Sequence, residues 1–149
     1  MLIHTMQALE LMKTHVVVTT PGETLGNALD LMDLYQVDAL PVVDDMGQLC
    51  GMLAEQDVLH AFLYEIALDT DDATLLASLQ QKAFVRDLKV AEVMTHNAMR
   101  IIATADAREA CLLLLRSGQK RLPVINDEGE VVGTFNRIDV CQALFEGIL

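Results

Sequence analysis

The chain has 149 residues, of which 52% are hydrophobic and 21% charged, and 22 acidic residues against ten Lys and Arg give a net charge of −12. This composition predicts a globular protein with one domain or two small ones and excludes a disordered chain. The longest apolar run, Ala110 to Leu115, is far shorter than the roughly 20 residues of a membrane span, so we expect no membrane partner.

The acidic charge also argues against a nucleic-acid partner. It repels phosphate backbones, and with no Trp and 4% aromatic residues the chain has few side chains on which bases could stack. The charge is uneven, because residues 1–63 carry a net −8, residues 64–87 a net −3 and residues 88–149 a net −1. We therefore expect the C-terminal half to tolerate an anionic ligand better than the N-terminal half.

The cysteines and histidines predict neither disulfides nor a metal site. Cys50, Cys111 and Cys141 are odd in number and widely separated, which is typical of reduced thiols in a cytoplasmic protein. No histidines are paired at i, i+4, and no cysteine lies near a histidine at metal-ligand spacing. No required cofactor is expected.

An internal repeat organises the chain at an offset of 82 residues. Leu40–Pro41–Val42 falls on Leu122–Pro123–Val124, and Asp57–Val58 falls on Asp139–Val140, with matching glycines in the same register. The predicted organisation is a first repeat at 1–63, a helical connector at 64–88 and a second repeat at 89–149.

Each repeat predicts the element order β-α-β-β-α after a short helical turn. In the first repeat Thr24 is a helix cap, and an Asp-x-x-Gly turn at Asp44–Gly47 joins two strands. The predicted elements of the first repeat are the turn Ala8–Met12, the strands Val16–Thr19, Ala39–Val43 and Leu49–Leu53, and helices beginning after Thr24 and near Glu55.

The second repeat follows the same order. Asp106, with Glu109 three residues later, predicts a capping box, and the apolar run Ala110–Leu115 predicts a helix buried on most sides. Its predicted elements are the turn Val90–Met94, the strands Arg100–Ile102, Leu122–Ile125 and Val131–Phe135, and helices beginning after Asp106 and near Arg137. The predicted fold class is α/β (α+β): two units, each a small three-stranded sheet with helices, packed with pseudo-two-fold symmetry.

The connector carries its own helical pattern. Asp71 or Asp72 could cap a helix with apolar residues at near-helical spacing. This helix is either an amphipathic connector lying on the core or a partner-binding or dimerising helix. The apolar positions are Leu75, Leu76, Leu79, Ala83 and Phe84.

The two copies of h-P-V-h before the hairpin and G-h-h-x-x-x-D-h after it, with h apolar, resemble tandem CBS domains, the arrangement called a Bateman module. The resemblance covers nearly the whole chain. It implies a non-catalytic sensor that binds an adenosine-containing ligand (AMP, ADP, ATP or S-adenosylmethionine) in clefts between the repeats. It also implies a homodimer that signals to a regulated partner protein by a conformational shift.

The resemblance also implies roles for individual residues. A carboxylate can accept both hydroxyls of a ribose, and the family places that carboxylate at the positions of Asp57 and Asp139. The phosphates would lie at the start of the following helix, where free N–H groups favour anions. A Ser or Thr donor is usual there, and this chain instead has Ala54 and Asn136.

The two repeats depart from the family pattern in different ways. The first repeat has Ala54 and an added carboxylate, Glu55, whereas the second has an amide and a guanidinium. We therefore expect a phosphorylated ligand at Asp139, and an empty site or a less charged adenosine compound at Asp57. The predicted phosphate-binding residues are Asn136, Arg137, Lys120 and Arg121.

The purine would lie in an apolar slot and be recognised by backbone groups. The adenine-binding residues by position are Thr95, Ile101, Leu122 and Pro123 in the second repeat and Thr19, Leu40 and Pro41 in the first, where Lys13 corresponds to Thr95.

Each assignment has a structural alternative. First-turn acids such as Asp57 and Asp139 stabilise a helix without a ligand, and Asn136 is a good helix cap. Lys120 and Arg121 could be a solvated loop, and the Leu-Pro pairs could be core residues only. The alternative function is a protein-interaction scaffold with degenerate, empty ligand clefts. An enzyme is not expected, because no nucleophile–base pair and no phosphate-binding glycine motif occurs.

Overall fold

The computed structural model describes residues 6–147 and divides them into two compact units. The first unit contains Val17–Asp44 and Cys50–Asn97, and the second contains residues 6–16, Asp45–Leu49 and residues 98–147. Each unit therefore holds the body of one repeat together with the segment that opens the other repeat. Residues 1–5 and 148–149, at the outer ends of the two predicted domains, lie outside the described residues.

The first unit begins with helix α1 (Leu25–Tyr35) and strands β1 (Ala39–Val43) and β2 (Leu49–Ala54), which lead directly into α2 (Glu55–Leu63). Thr24 caps α1 as predicted, because its Oγ1 accepts a hydrogen bond from the N–H of Asn27 at 3.2 Å. The apolar faces of these elements form one core. Its buried members are Leu25, Ala28, Met32, Leu40, Val42, Leu53, Val58, Val85, Val90 and Met94.

The predicted strand Val16–Thr19 is wrong except at its last residue. Only Thr19 pairs with β1, in a parallel bridge to Val42, so the sheet of this unit has two strands. Proline explains the short pairing. Extending the parallel ladder towards Val17 requires the N–H of residue 41, which Pro41 lacks, and extending it beyond Thr19 requires the N–H of residue 21, which Pro21 lacks. The second unit has the equivalent Pro123 but Ala103 in place of Pro21, and the N–H of Ala103 donates to the carbonyl of Ile125.

The second unit contains β3 (Ile101–Ile102), α5 (Ala107–Ser117), β4 (Arg121–Ile125), β5 (Val131–Asn136) and α6 (Arg137–Phe145). The strands form the predicted three-stranded sheet in the order β3-β4-β5, with β3 parallel and β5 antiparallel to β4. Gly129 in the turn before β5 has φ 83°, the left-handed conformation that the turn pattern predicts. The core consists of Ala8, Ile101, Ala103, Ala110, Cys111, Leu114, Leu122, Val124, Phe135 and Val140.

The prediction that α5 is buried on most sides is wrong. Ala110, Cys111 and Leu114 are buried, whereas Leu112 and Leu115 are largely exposed. Helical periodicity places only every third or fourth residue of the run on the face towards the core. An apolar surface is therefore left on α5.

The connector forms α3 (Asp72–Gln80) and a 3₁₀ turn at Ala83–Asp87, and the opening segment of the second repeat forms α4 (Val90–Val93). Asp71 caps α3, because its Oδ1 accepts from the N–H of Thr74 at 2.8 Å. None of the residues of α3 is fully buried, and Val85 is the residue of the 3₁₀ turn that enters the core. Every helix within residues 6–147 is too short or too polar to span a lipid bilayer.

Candidate functional site

The two predicted ribose-binding aspartates lie in the first turn of α2 and α6, where each helix starts without a loop after a strand. Asp57 Oδ2 accepts a hydrogen bond from the N–H of Ala54 at 2.8 Å, and Asp139 Oδ2 accepts one from the N–H of Asn136 at 2.8 Å. One oxygen of each carboxylate therefore caps its own helix, which is the structural alternative noted above. The second oxygen of each, Oδ1, points to another segment.

That other segment comes from the start of the opposite repeat. In the first unit Thr95 and Met52 exchange backbone hydrogen bonds of 2.9 and 3.0 Å. In the second unit Lys13 and Thr134 exchange two of 2.9 Å. These positions match at the repeat offset of 82 residues. The same two-bond bridge thus brings one residue of each opening segment to each aspartate.

The side chains at the bridge differ in charge. Thr95 Oγ1 donates to Asp57 Oδ1 at 3.3 Å, whereas Lys13 Nζ forms an ion pair with Asp139 Oδ1 at 3.3 Å. The Asp139 side chain is 1% exposed and the Lys13 side chain 52%. Asp139 Oδ1 has no hydrogen-bond partner among the described residues, so the Lys13 ammonium, at ion-pair distance, is the charge that faces it.

The start of α6 brings together the four predicted phosphate-binding residues. The Asn136 side chain makes no capping hydrogen bond, and its buried Oδ1 has no hydrogen-bond partner within residues 6–147. Arg137 donates from Nε to the carbonyl of Gln119 at 3.1 Å and from Nη2 to that of Gly118 at 3.0 Å. The N–H of Arg137 donates to the carbonyl of Lys120 at 3.0 Å. Arg121, the half-buried first residue of β4, is the ladder partner of Asn136.

Most of the predicted adenine-binding residues have buried side chains. Ile101 and Leu122 pack in the core of the second unit and Leu40 in that of the first, so these side chains do not line an exposed slot. Pro41 and Pro123 are fully buried as well. Thr95 is exposed, while the Thr19 hydroxyl is buried and has no hydrogen-bond partner among the described residues.

The role of Lys13 was not predicted. The repeat aligns Lys13 with Thr95, but the sequence suggested that each would serve its own repeat, Lys13 with Asp57 and Thr95 with Asp139. The structure places them the other way, Thr95 beside Asp57 and Lys13 beside Asp139. Gly51 and Gly133 carried a partial signal, because a glycine in a buried strand marks the close approach of another backbone without identifying it.

Few other metal-binding or reactive groups occur in the described part of the chain. No group of three or more His, Cys, Asp or Glu residues within 6–147 could hold a metal ion. The three cysteines form no disulfide within residues 6–147, and burial raises the pKa of the Cys111 thiol. Two repeated strand–helix junctions, each with an aspartate facing a segment of the opposite repeat, define a paired-domain protein.

Comparison with known proteins identifies the family. The CBS domain family matches residues 8–64 and 90–146, and the chain belongs to it as a tandem CBS pair. Its sequence is 26% identical over 150 residues to the uncharacterized protein MJ1426 of Methanocaldococcus jannaschii, covering 91% of this chain and 89% of that protein.

Longer relatives contain the pair as one part. Inosine-5'-monophosphate dehydrogenase of the same archaeon is 25% identical over 144 residues, which is 94% of this chain and only 25% of the enzyme. The chain spans 58% of the chloroplastic protein CBSX2 of Arabidopsis thaliana, at 27% identity over 146 residues and 87% of this chain.

Solved structures confirm the fold. The CBS-pair protein CBSX2 superposes with a TM-score of 0.78 at 25% identity, covering 97% of this chain and 98% of that one. The structure of CBSX2 in complex with AMP gives a TM-score of 0.74 at 25% identity, covering 96% and 98%.

Proposed function

We propose that this CBS pair is a non-catalytic regulatory module that binds an adenine nucleotide at Asp139 in the second unit. The observation that carries the proposal is the state of the Asp139 carboxylate. It is almost completely buried, one oxygen is used for the helix cap, and the other faces only the Lys13 ammonium among the described residues. A buried acceptor of this kind suits the paired hydroxyls of a ribose.

The start of α6 suits the phosphate in this proposal. Asn136 leaves its capping position unused, so N–H groups of the first turn remain available to an anion. Arg137 uses two of its five N–H donors on carbonyls, which leaves donors for a phosphate. Lys120 and Arg121 add positive potential from the neighbouring loop and strand.

The adenine ring would be recognised by strand backbone groups. Because the side chains of Ile101 and Leu122 belong to the core, we assign recognition by the second unit to the backbone of Ile101, Leu122 and Pro123. The family relationship supports an adenine ligand, since CBSX2, 25% identical to this chain, has been solved in complex with AMP.

The first unit offers a different site. Asp57 faces the neutral Thr95 hydroxyl, Ala54 provides no side-chain donor, and Glu55 places a second carboxylate at the helix start. We propose that this site, with Thr19, Leu40 and Pro41 behind it and the exposed Thr95 beside it, takes a less charged adenosine compound, S-adenosylmethionine included, or stays empty.

Signalling would use a homodimer and a partner protein. Apolar side chains are exposed on α5 and α6, with Phe145 94% exposed, and a second copy of the chain would cover them. Ligand binding would then shift the population between two arrangements that the partner distinguishes. Cysteines that form no disulfide within the described residues suit a reducing compartment such as the cytoplasm.

Calorimetric titration of the purified protein with AMP, ADP, ATP and S-adenosylmethionine tests the function. We expect binding tighter than millimolar for at least one phosphorylated ligand, and loss of that binding in Asp139→Ala. Absence of binding to all four ligands, or unchanged affinity in Asp139→Ala, contradicts the proposal.

A scaffold without a ligand is the second candidate, and one observation favours it. The Oδ1 atoms of both aspartates already contact protein groups, Thr95 and Lys13. In that case neither Asp57→Ala nor Asp139→Ala would change any nucleotide titration, and both would lower only the stability of the protein.

A further inference from the structure

The residue that faces each aspartate is held by an equivalent backbone bridge in each unit, so the two sites differ in the side chain of that residue. The bridges Lys13–Thr134 and Thr95–Met52 occupy equivalent repeat positions and differ little in hydrogen-bond length. Their side chains place a cation on Asp139 and a neutral hydroxyl on Asp57. One exchange of residue type therefore sets the charge of the contact.

We infer that Lys13 is the specificity-determining residue of the second unit and makes the Asp139 site selective for ligands that carry phosphate. The inference rests on the proposed function, because it takes Asp139 as the ribose acceptor. Because the Asp139 side chain is 1% exposed and the Lys13 ammonium faces its Oδ1, a ribose hydroxyl would reach that oxygen by taking the place of the ammonium. The ammonium then needs another anion, and the ligand's phosphate is that anion.

The surroundings of Lys13 permit this exchange. Its backbone is fixed by two hydrogen bonds to Thr134, while its side chain is half exposed on a flexible four-carbon stem. The ammonium can therefore leave Asp139 without any movement of the chain. An uncharged nucleoside would break the ion pair and leave the ammonium without an anionic partner. A nucleotide would break the same ion pair, but its phosphate would form a new charge-assisted contact with the ammonium.

The first unit has no equivalent of the Lys13 ammonium. The Thr95 side chain is neutral and cannot form an ion pair with a phosphate, and Glu55 at the start of α2 repels a phosphate. The Asp57 site should therefore not prefer AMP over adenosine. The two sites of one chain would then differ in their preference for charged adenosine compounds. The side chains at residues 13 and 95, which occupy equivalent repeat positions, would cause that difference.

The experiment compares AMP with adenosine, which differ only by the phosphate. Calorimetry is performed on the full chain carrying Asp57→Ala, so that only the second unit binds, with and without Lys13→Thr. With Lys13 present, we expect AMP to bind about ten-fold or more tightly than adenosine, the range of a charge-assisted contact. In the Lys13→Thr variant the ratio of the two affinities should fall at least about five-fold, to the smaller preference for AMP that Arg137 and the start of α6 supply without Lys13. Lys13→Arg should restore the preference.

The reciprocal exchange is the matched control. In the full chain carrying Asp139→Ala, Thr95→Lys should give the first unit a preference for AMP that it otherwise lacks. Circular dichroism reports whether each variant folds, and Lys13→Gln, which keeps a donor for Asp139 without the cation, replaces Lys13→Thr if that variant does not fold.

The outcomes separate the two proposals. An AMP preference that is unchanged by both Lys13→Thr and Lys13→Gln overturns the role of Lys13 while leaving nucleotide binding at Asp139 intact. Failure of the otherwise native chain to bind either compound overturns this inference, and it overturns the proposed function as well when ADP, ATP and S-adenosylmethionine also fail to bind.

Discussion

The carbonyl oxygen of Thr95 lies so close to Gly51 that a Cβ atom at residue 51 would come within 2.5 Å of it. The contact belongs to the bridge that brings Thr95 to Asp57. Gly133 has the equivalent contacts, with a Cβ atom 2.5 Å from Met12 Sδ and 2.7 Å from the carbonyl oxygen of Lys13. The repeated glycine is therefore explained by the approach of the opposite repeat's opening segment.

Alanine at either glycine should destabilise the protein. The added methyl group collides with backbone that two hydrogen bonds hold in place, so we expect the free energy of unfolding to fall by about 1–3 kcal/mol. Gly51→Ala should have the larger effect, because its nearest atom is a carbonyl, whereas that of Gly133→Ala belongs to the flexible Met12 side chain. Urea denaturation followed by circular dichroism measures both.

Gly22→Ala is the control for these two variants. A Cβ atom at Gly22 meets nothing within 4 Å, and Gly22 is not among the glycines with positive φ. The free energy of unfolding of Gly22→Ala should be unchanged or higher by up to about 1 kcal/mol, because alanine restricts the unfolded chain. Equal losses in all three variants would contradict the close approach.

The ion pair between Lys13 and Asp139 should contribute more to stability than the exposed pair Arg86–Asp30. Lys13→Met leaves a buried carboxylate without its cation, and because solvent reaches half of Lys13 we expect a loss of only about 1 kcal/mol. Asp30→Asn breaks a pair in which both side chains are more than half exposed, and should cost under about 0.5 kcal/mol. Thermal denaturation compares the two.

A double-mutant cycle isolates the pair. Combining Lys13→Met with Asp139→Asn removes the unpaired charge, so the double variant should be more stable than the sum of the two single changes indicates. Strict additivity would show that the two groups do not interact in solution.

Much of the fold could be predicted from local signals. The caps Thr24, Asp71 and Asp106 begin helices as their side chains indicate, and the turn glycine Gly129 adopts its left-handed conformation. The errors came from tertiary constraints. The strand Val16–Thr19 depends on a hydrogen-bond donor that its neighbour Pro41 lacks, and no pattern within the segment shows this.

The candidate site could be predicted only in part. Its aspartates follow from the repeat, and so does the difference between Ala54 and Asn136. A repeat aligns Lys13 with Thr95 but contains no information about which aspartate each one faces, because that depends on the exchange of opening segments between units. The charge at Asp139 was therefore visible only in the structure.

The connector helix α3 should lose stability in acid. Hydrogen bonds from the Thr74 backbone and side chain lower the pKa of the exposed Asp71 carboxyl. A group with a lowered folded-state pKa stabilises fully above its ordinary value, about 3.9, and loses that contribution as the pH falls through the lowered pKa. NMR titration should show the helical shifts of α3 weakening in that window, whereas Asp71→Asn, which keeps a capping oxygen without titrating, should not show this change.

The exposed apolar surface of α6 should hold two copies of the chain together. Leu144 and Phe145 are mostly exposed, and covering such side chains contributes about 25 cal/mol for each Å² removed from water. We expect the protein to sediment as a dimer at micromolar concentration and Leu144→Glu to shift it towards the monomer, since a charge placed in an apolar interface must be desolvated. Leu68→Glu, at an equally exposed leucine of the connector, is the control and should leave the dimer unchanged. A monomeric native chain, or equal dissociation by both variants, would show that α6 is not the dimer interface.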